Sequence, residues 1–235
     1  MNVKSQPRDY DMMEWLLHEK FSFLEELAHV FFKKGVNPKR APYRRLLKLM
    51  DQGLVDTRKV YHDPRDLYVA THKSTRLLRS IGFQYVPALS KDKKFVNFDH
   101  DYTLIKLRIM AHDIKLGVWV PERVIRSIKP HGGCPDALLM TADAHYAVEY
   151  EYSEKEMERY KRIFDYYATQ TNYDGVLYIL RTEARIEKVR EKIPYIDSKI
   201  YFISEEDLFQ DPEGAVFMSS KGELSMKDLL SMALG

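Results

Sequence analysis

Val176-Leu177-Tyr178-Ile179-Leu180 is an unbroken apolar run that follows the turn Asn172-Tyr173-Asp174-Gly175. A run without polar alternation is typical of a central strand buried on both faces. Such a strand needs cover on two sides, and the neighbouring segments are patterned to give it. Upstream, Met157, Tyr160, Phe164, Tyr167 and Thr171 recur down one face of a helix. Ser153-Glu154-Lys155-Glu156 has the form of a capping box that opens this helix. Downstream, a helix is expected over 182–193 and a strand over 199–203. Two further strands are expected around the turn Asp143-Ala144, one from 137 to 141 and one from 145 to 152. A helix over 101–117 precedes them, with Leu104, Leu107, Ile109 and Met110 expected inside and Gly117 at its end. A short strand around Trp119 and a turn or short helix follow it. The tail adds a short helix at 205–209, a candidate strand over 215–218 and a last helix from Ser225. This order predicts an α/β (α+β) sandwich around a mixed sheet.

The first part of the chain is patterned differently. Residues 10–18 carry apolar side chains at helical spacing. Ser22 and Glu25 have the spacing of a capping box before a helix whose Phe23, Leu24, Leu27, Val30 and Phe31 share a face and which Gly35 would close. Asn37-Pro38 has the form of a third helix start, and Gly53 the form of its C-terminal stop. Leu46, Leu47, Leu49 and Met50 are expected on the buried side of that helix. Lys39, Arg40, Arg44, Arg45 and Lys48 are expected on a basic side. Two strands around His62-Asp63-Pro64-Arg65 and a helix ending at Gly82 complete the order. Three helices, a hairpin and a helix make a winged helix-turn-helix, in which the third helix enters the major groove. We expect a DNA-binding domain over 9–90 and a second domain over 95–235, with residues 91–100 leading from one to the other.

Charge separates the same two parts. Residues 1–94 hold 19 Lys/Arg against 11 Asp/Glu, a net of +8, whereas residues 95–235 hold 18 against 24, a net of −6. From Leu27 to Met50 there is no acidic residue. A basic module of this kind suits a polyanion, and double-stranded DNA is the expected partner, with Lys39, Arg40, Arg44, Arg45, Lys48 and the turn residue Arg65 as contacts.

The second part carries the other candidate chemistry. Side chains alternate along a strand, so Ala147, Glu149 and Glu151 share one face and Val148, Tyr150 and Tyr152 the other. Asp136 lies at the edge of the preceding strand. Clustered carboxylates are costly unless a cation or basic group neutralises them, and Mg²⁺ or Mn²⁺ held by one to three of them with water and phosphate is one way to do so. The bland alternative is a solvent-facing edge with both glutamates wet.

Other chemistries find no support. The single cysteine, Cys134, excludes an intramolecular disulfide. His131-x-x-Cys134 lacks the second pair that a zinc site needs. Gly132-Gly133 is a turn, and no phosphate-cradling glycine motif occurs. No apolar run approaches a membrane span and the polar N-terminal stretch has no signal-like core, so a cytoplasmic protein is expected.

Pro135-Asp136, the Glu149-x-Glu151 strand and the Tyr-rich helix after it resemble the core of the PD-(D/E)xK nuclease-like superfamily. Together with Tyr68-Val69-Ala70-Thr71, His100, Trp119-x-x-Glu122, Pro135-Asp136-Ala137 and Val148–Glu151, in that order, the chain resembles the plasmid replication-relaxation family of bacteria. The resemblance covers nearly all of residues 10–230. It implies a DNA-binding accessory protein of plasmid replication or mobilisation, partnered by a relaxase or replication initiator. It also implies Asp136, Glu149 and Glu151 as the catalytic positions, with Asp136 and Glu149 as the ligands of Mg²⁺ or Mn²⁺ and Glu151 standing where the superfamily carries lysine. Lys155 is a candidate to replace that lysine, and Asp101 is a candidate extra acid. Two alternatives stand beside the accessory role: a metal-dependent DNA nickase or endonuclease, and a transcription regulator whose C-terminal domain makes a homodimer.

Overall fold

The computed structural model describes residues 6–32, 39–60, 63–89, 95–129, 133–193 and 195–233. The chain divides into two compact units, one of residues 1–105 with 126–130 and one of 106–125 with 131–235.

The first unit begins with α1 (Pro7–His18), α2 (Leu24–Phe31) and α3 (Arg40–Asp51). The hairpin β1 (Val55–Val60) and β2 (Asp63–Ala70) and then α4 (His72–Ser80) follow. The expected order of elements is therefore present. Several boundaries move. The backbone N–H of Phe23, and not Ser22, is capped by the acid three residues on, donating to Glu26 Oε2 at 3.0 Å. Ser22 instead exchanges backbone hydrogen bonds with Tyr68 of β2 at 2.8 and 3.0 Å, so it adds a bridge to the hairpin. Gly35, Asn37-Pro38 and His62 lie outside the described residues. Asp63, Pro64 and Arg65, expected in a turn, belong to β2, where Asp63 pairs with Val60.

α3 ends as its sequence suggests. Gly53 takes φ +65°, the Gly53 N–H donates to Met50 O at 2.8 Å and the Leu54 N–H donates to Leu49 O at 2.9 Å. These two bonds form a Schellman stop, which satisfies carbonyls the helix itself leaves open. The buried side of α3 is Pro42, Leu46 and Leu49, while Leu47 points outward, contrary to expectation. Leu46 and Leu49 join Met12, Leu16, Leu17, Phe21, Phe23, Leu27, Leu67 and Leu78 as buried apolar side chains of this unit.

α5 (Phe98–Asp113) starts in the first unit and ends in the second. Its first turn adds Phe98 and Tyr102 to an aromatic group, with Phe98 stacked on Phe21 at 5.3 Å and Tyr102 edge-on to Phe23 at 5.1 Å. Ile105, Leu107 and Ala111 are the buried side chains of its middle, whereas Leu104, Ile109 and Met110 are only half-buried.

The second unit is built on a mixed sheet of β3 (Val118–Pro121), β4 (Ala137–Met140), β5 (His145–Glu151), β6 (Gly175–Leu180), β7 (Ile200–Ser204), β8 (Val216–Met218) and β9 (Glu223–Ser225), in that spatial order. The β5–β6 and β6–β7 pairs are parallel, and the outer pairs are antiparallel. β6, the unbroken apolar run, is the central strand and is buried throughout. α6 (Glu122–Ile128) follows β3, and the parallel crossovers carry α7 (Met157–Thr169) and α8 (Glu183–Lys192). α9 (Glu205–Gln210) and α10 (Met226–Ala233) complete the chain; β9 was not expected from the sequence. α7 opens at Met157, with Glu156 as its N-cap and Ser153–Glu156 outside the helix, so the expected capping box does not form.

Tyr160, Phe164 and Tyr167 of α7 and Ile186 and Val189 of α8 pack with Ala147, Val176, Tyr178, Leu180, Ile200 and Phe202 of the sheet. Phe164 meets Tyr178 and Phe202 edge-on at 5.3 and 5.7 Å, the orientation that ring quadrupoles favour. This layer holds the face of β5 that carries Ala147, Glu149 and Glu151. Among the described residues no helix is long and apolar enough to cross a membrane.

Candidate functional site

In the first unit the expected DNA contacts separate into two groups. Arg40, Arg44 and Lys48 are exposed and recur every four residues along α3, which places them on one face of the helix. Tyr43 and Leu47 lie on the same face and are 47% and 41% exposed. From Arg40 to Lys48 this strip is about 12 Å long at the α-helical rise. Asp51, exposed in the last turn, ends it. Among the described residues Arg40, Arg44 and Lys48 meet no acidic partner.

The remaining cations do not join the strip. Arg45 turns inward: its side chain is 11% exposed and its Nε donates to Oδ1 of Asp9, a residue with 0% exposure, at 2.6 Å. The same carboxylate holds the Arg45 guanidinium firmly protonated. Lys39 pairs with Glu25 at 2.5 Å and lowers the pKa of that carboxyl. Arg65 pairs with Asp63 at 2.6 Å and lies 3.5 Å from the Phe23 ring centre. On the hairpin, Arg58 pairs with Asp56 at 2.5 Å and Lys59 with Asp66 at 2.9 Å. The hairpin's positive charge is thus largely met by its own aspartates, whereas α3 carries exposed cations, as does α4 with Lys73, Arg76 and Arg79.

In the second unit Lys155 pairs with Glu151 and lies in the field of Glu149 and Asp136. Asp136 Oδ2 accepts from the Tyr150 backbone N–H at 2.9 Å, which ties the start of β4 to β5. Glu149 accepts from the Tyr167 hydroxyl of α7. Glu151 is buried and forms an ion pair with Lys155. Burial pushes the Lys155 ammonium below its ordinary pKa and Arg159 pushes it the same way, while Glu149 and Asp136 pull it back up. The Tyr167 hydroxyl is driven well above its ordinary range by burial and then by Glu149.

The expected sharing of a face by Glu149 and Glu151 is therefore present, and the face is inside the protein. Asp101 lies in the first unit, where Lys20 Nζ donates to both of its carboxylate oxygens at 2.7 Å. Among the described residues no group of three or more His, Cys, Asp or Glu side chains is disposed to hold a metal ion. Asp136, Glu149 and Glu151 do not form such a group. Each of the three takes a donor or a cation from the protein itself.

Sequence reasoning missed the Asp9–Arg45 pair and the outward turn of Leu47. It also missed the Tyr167–Glu149 bond: Tyr167 was expected on one face of its helix and Glu149 on one face of its strand, with no pairing between them. Comparison with known protein families, with curated proteins and with solved structures finds no match.

Proposed function

We propose that the chain is a duplex-DNA-binding protein of the plasmid replication-relaxation kind, an accessory factor and not a nuclease. In this reading the first unit is a winged helix whose third helix, α3, grips DNA. The observation that carries it is the exposed strip of Arg40, Arg44 and Lys48, which among the described residues meet no acidic partner, while Lys39, Arg45, Arg58, Lys59 and Arg65 are paired. The strip suits the major groove, which is about 12 Å wide and admits an α-helix. The second unit, in this reading a nuclease-like sandwich, serves as a further DNA or partner surface that recruits a relaxase or replication initiator. Its carboxylates take their partners from Lys155, Tyr167 and a backbone amide.

One observation favours a second reading, a metal-dependent endonuclease. Lys155 stands beside Glu151 and in the field of Asp136 and Glu149, near the place the superfamily gives its lysine. Incubating supercoiled plasmid with the protein in EDTA, Mg²⁺ or Mn²⁺, and running it before and after protease treatment, separates the two. We expect retardation that protease abolishes, with the plasmid still supercoiled. Nicked or linear product that needs metal and is lost in Asp136→Ala establishes the second reading instead.

A further inference from the structure

Tyr43 and Leu47 are large side chains half in water in the middle of a basic strip, one helical turn apart. A helix face that only gripped phosphates would gain nothing from them, since phosphate contacts need cations and hydrogen-bond donors. A protein interface would place charge at its rim and deplete it from the centre. Here the cations and the apolar groups interleave: Arg40, then Tyr43 and Arg44, then Leu47 and Lys48. In the major groove one base alone presents an apolar group, the C5-methyl of thymine.

We propose that Leu47 and Tyr43 read thymine methyl groups in the major groove, while Arg40, Arg44 and Lys48 hold the flanking phosphates or guanines. The proposal rests on the duplex-binding reading above and adds sequence preference to it. Side chains at i and i+4 stand about 6 Å apart on a helix. One base step along a strand is about 3.4 Å. The two thymines are therefore one or two steps apart. Neither residue belongs to the buried side of α3, so truncating either leaves Pro42, Leu46 and Leu49 in place.

The test uses the full chain and a pool of random duplexes, from which bound sequences are enriched. The enriched site is then remade with deoxyuridine for each thymine, which removes the methyl and keeps every hydrogen-bonding group. We expect a site with two thymines at that spacing, and a loss of about fourfold in affinity for each methyl removed, the worth of one buried methyl-sized group. Leu47→Ala and Tyr43→Ala should each bind the thymine site more weakly and each become insensitive to uridine at one position. Thermal melting of each variant reports whether it folds. Salt-sensitive binding with no thymine in the enriched site, or with equal affinity for uridine, overturns this inference and leaves the duplex reading standing. Discrimination retained in both variants overturns the assignment to these side chains. Absence of duplex binding at low salt overturns both, and capture of a protein by the α3 face in its place would identify a different partner class.

Discussion

The Asp9 carboxylate has no solvent exposure and receives the Arg45 guanidinium, whose Nε donates to Oδ1 at 2.6 Å. Asp9 Oδ2 also accepts from the Gln6 backbone N–H at 2.6 Å, so one side chain caps α1 and anchors α3. Arg45→Ala leaves that carboxylate buried without its counter-charge. We expect a loss of about 3–5 kcal/mol in urea unfolding of the first unit. Arg44→Ala, one residue away and exposed, should leave the unfolding midpoint nearly unchanged and weaken duplex binding.

Tyr167 and Glu149 give a second prediction. Tyr167→Phe keeps the ring in the α7–sheet layer and removes the donor to Glu149. A carboxylate that loses a charge-assisted bond inside a protein costs about 1–3 kcal/mol. Urea unfolding followed by tyrosine fluorescence measures it. A variant as stable as wild type shows that Glu149 finds another donor.

Gly117 takes φ +128°, and a Cβ there would stand 2.4 Å from the Met140 carbonyl oxygen of β4. Both the backbone conformation and the space require glycine at the entry to β3. Gly117→Ala should destabilise the second unit by about 1–3 kcal/mol, the usual cost of a strained backbone position. Gly53→Ala, with φ +65° and nothing within 4 Å of the added carbon, should cost less.

The buried phenols predict the response to alkali. Burial pushes Tyr68 up to about 12 from an ordinary 10.0, and raises Tyr167 and Tyr178 well above their ordinary range. A raised folded pKa gives stability that is fully present below pH 10 and is lost as pH rises, because the unfolded chain releases protons that the folded chain keeps. For Tyr68 the window is pH 10 to 12. Urea midpoints at about pH 8 and about pH 11 should differ, with the lower value at the higher pH, and Tyr167→Phe should reduce the difference.

Much of this architecture was legible because it rests on short-range patterns. The unbroken run at 176–180 marked the central strand, the alternation at 145–151 marked β5, and the Gly53 stop needed only local backbone chemistry. The capping boxes were less secure. At Ser22 a bridge to Tyr68 outcompeted the cap, and Ser153–Glu156 stayed outside the helix, with Lys155 turned to Glu151. On α3, an arginine that looked like one more surface cation was matched to Asp9, 36 residues earlier, and no local pattern reveals such a pairing. Leu47 looked like core because its neighbours Leu46 and Leu49 are core, yet it lies on the opposite arc of the helix. Glu149 and Glu151 share one face of β5 as the alternation indicated, but their partners come from α7 and from the segment before it.

Duplex binding measured against salt bears most directly on the role of α3. With a short duplex and anisotropy detection, the logarithm of the affinity should fall linearly with the logarithm of the salt concentration. Three phosphate contacts from Arg40, Arg44 and Lys48 correspond to a slope contribution of about −2.7. The triple alanine variant should lose that part of the slope and most of the affinity while unfolding at the wild-type urea midpoint. A variant that keeps both slope and affinity would contradict the assignment of DNA binding to this face of α3.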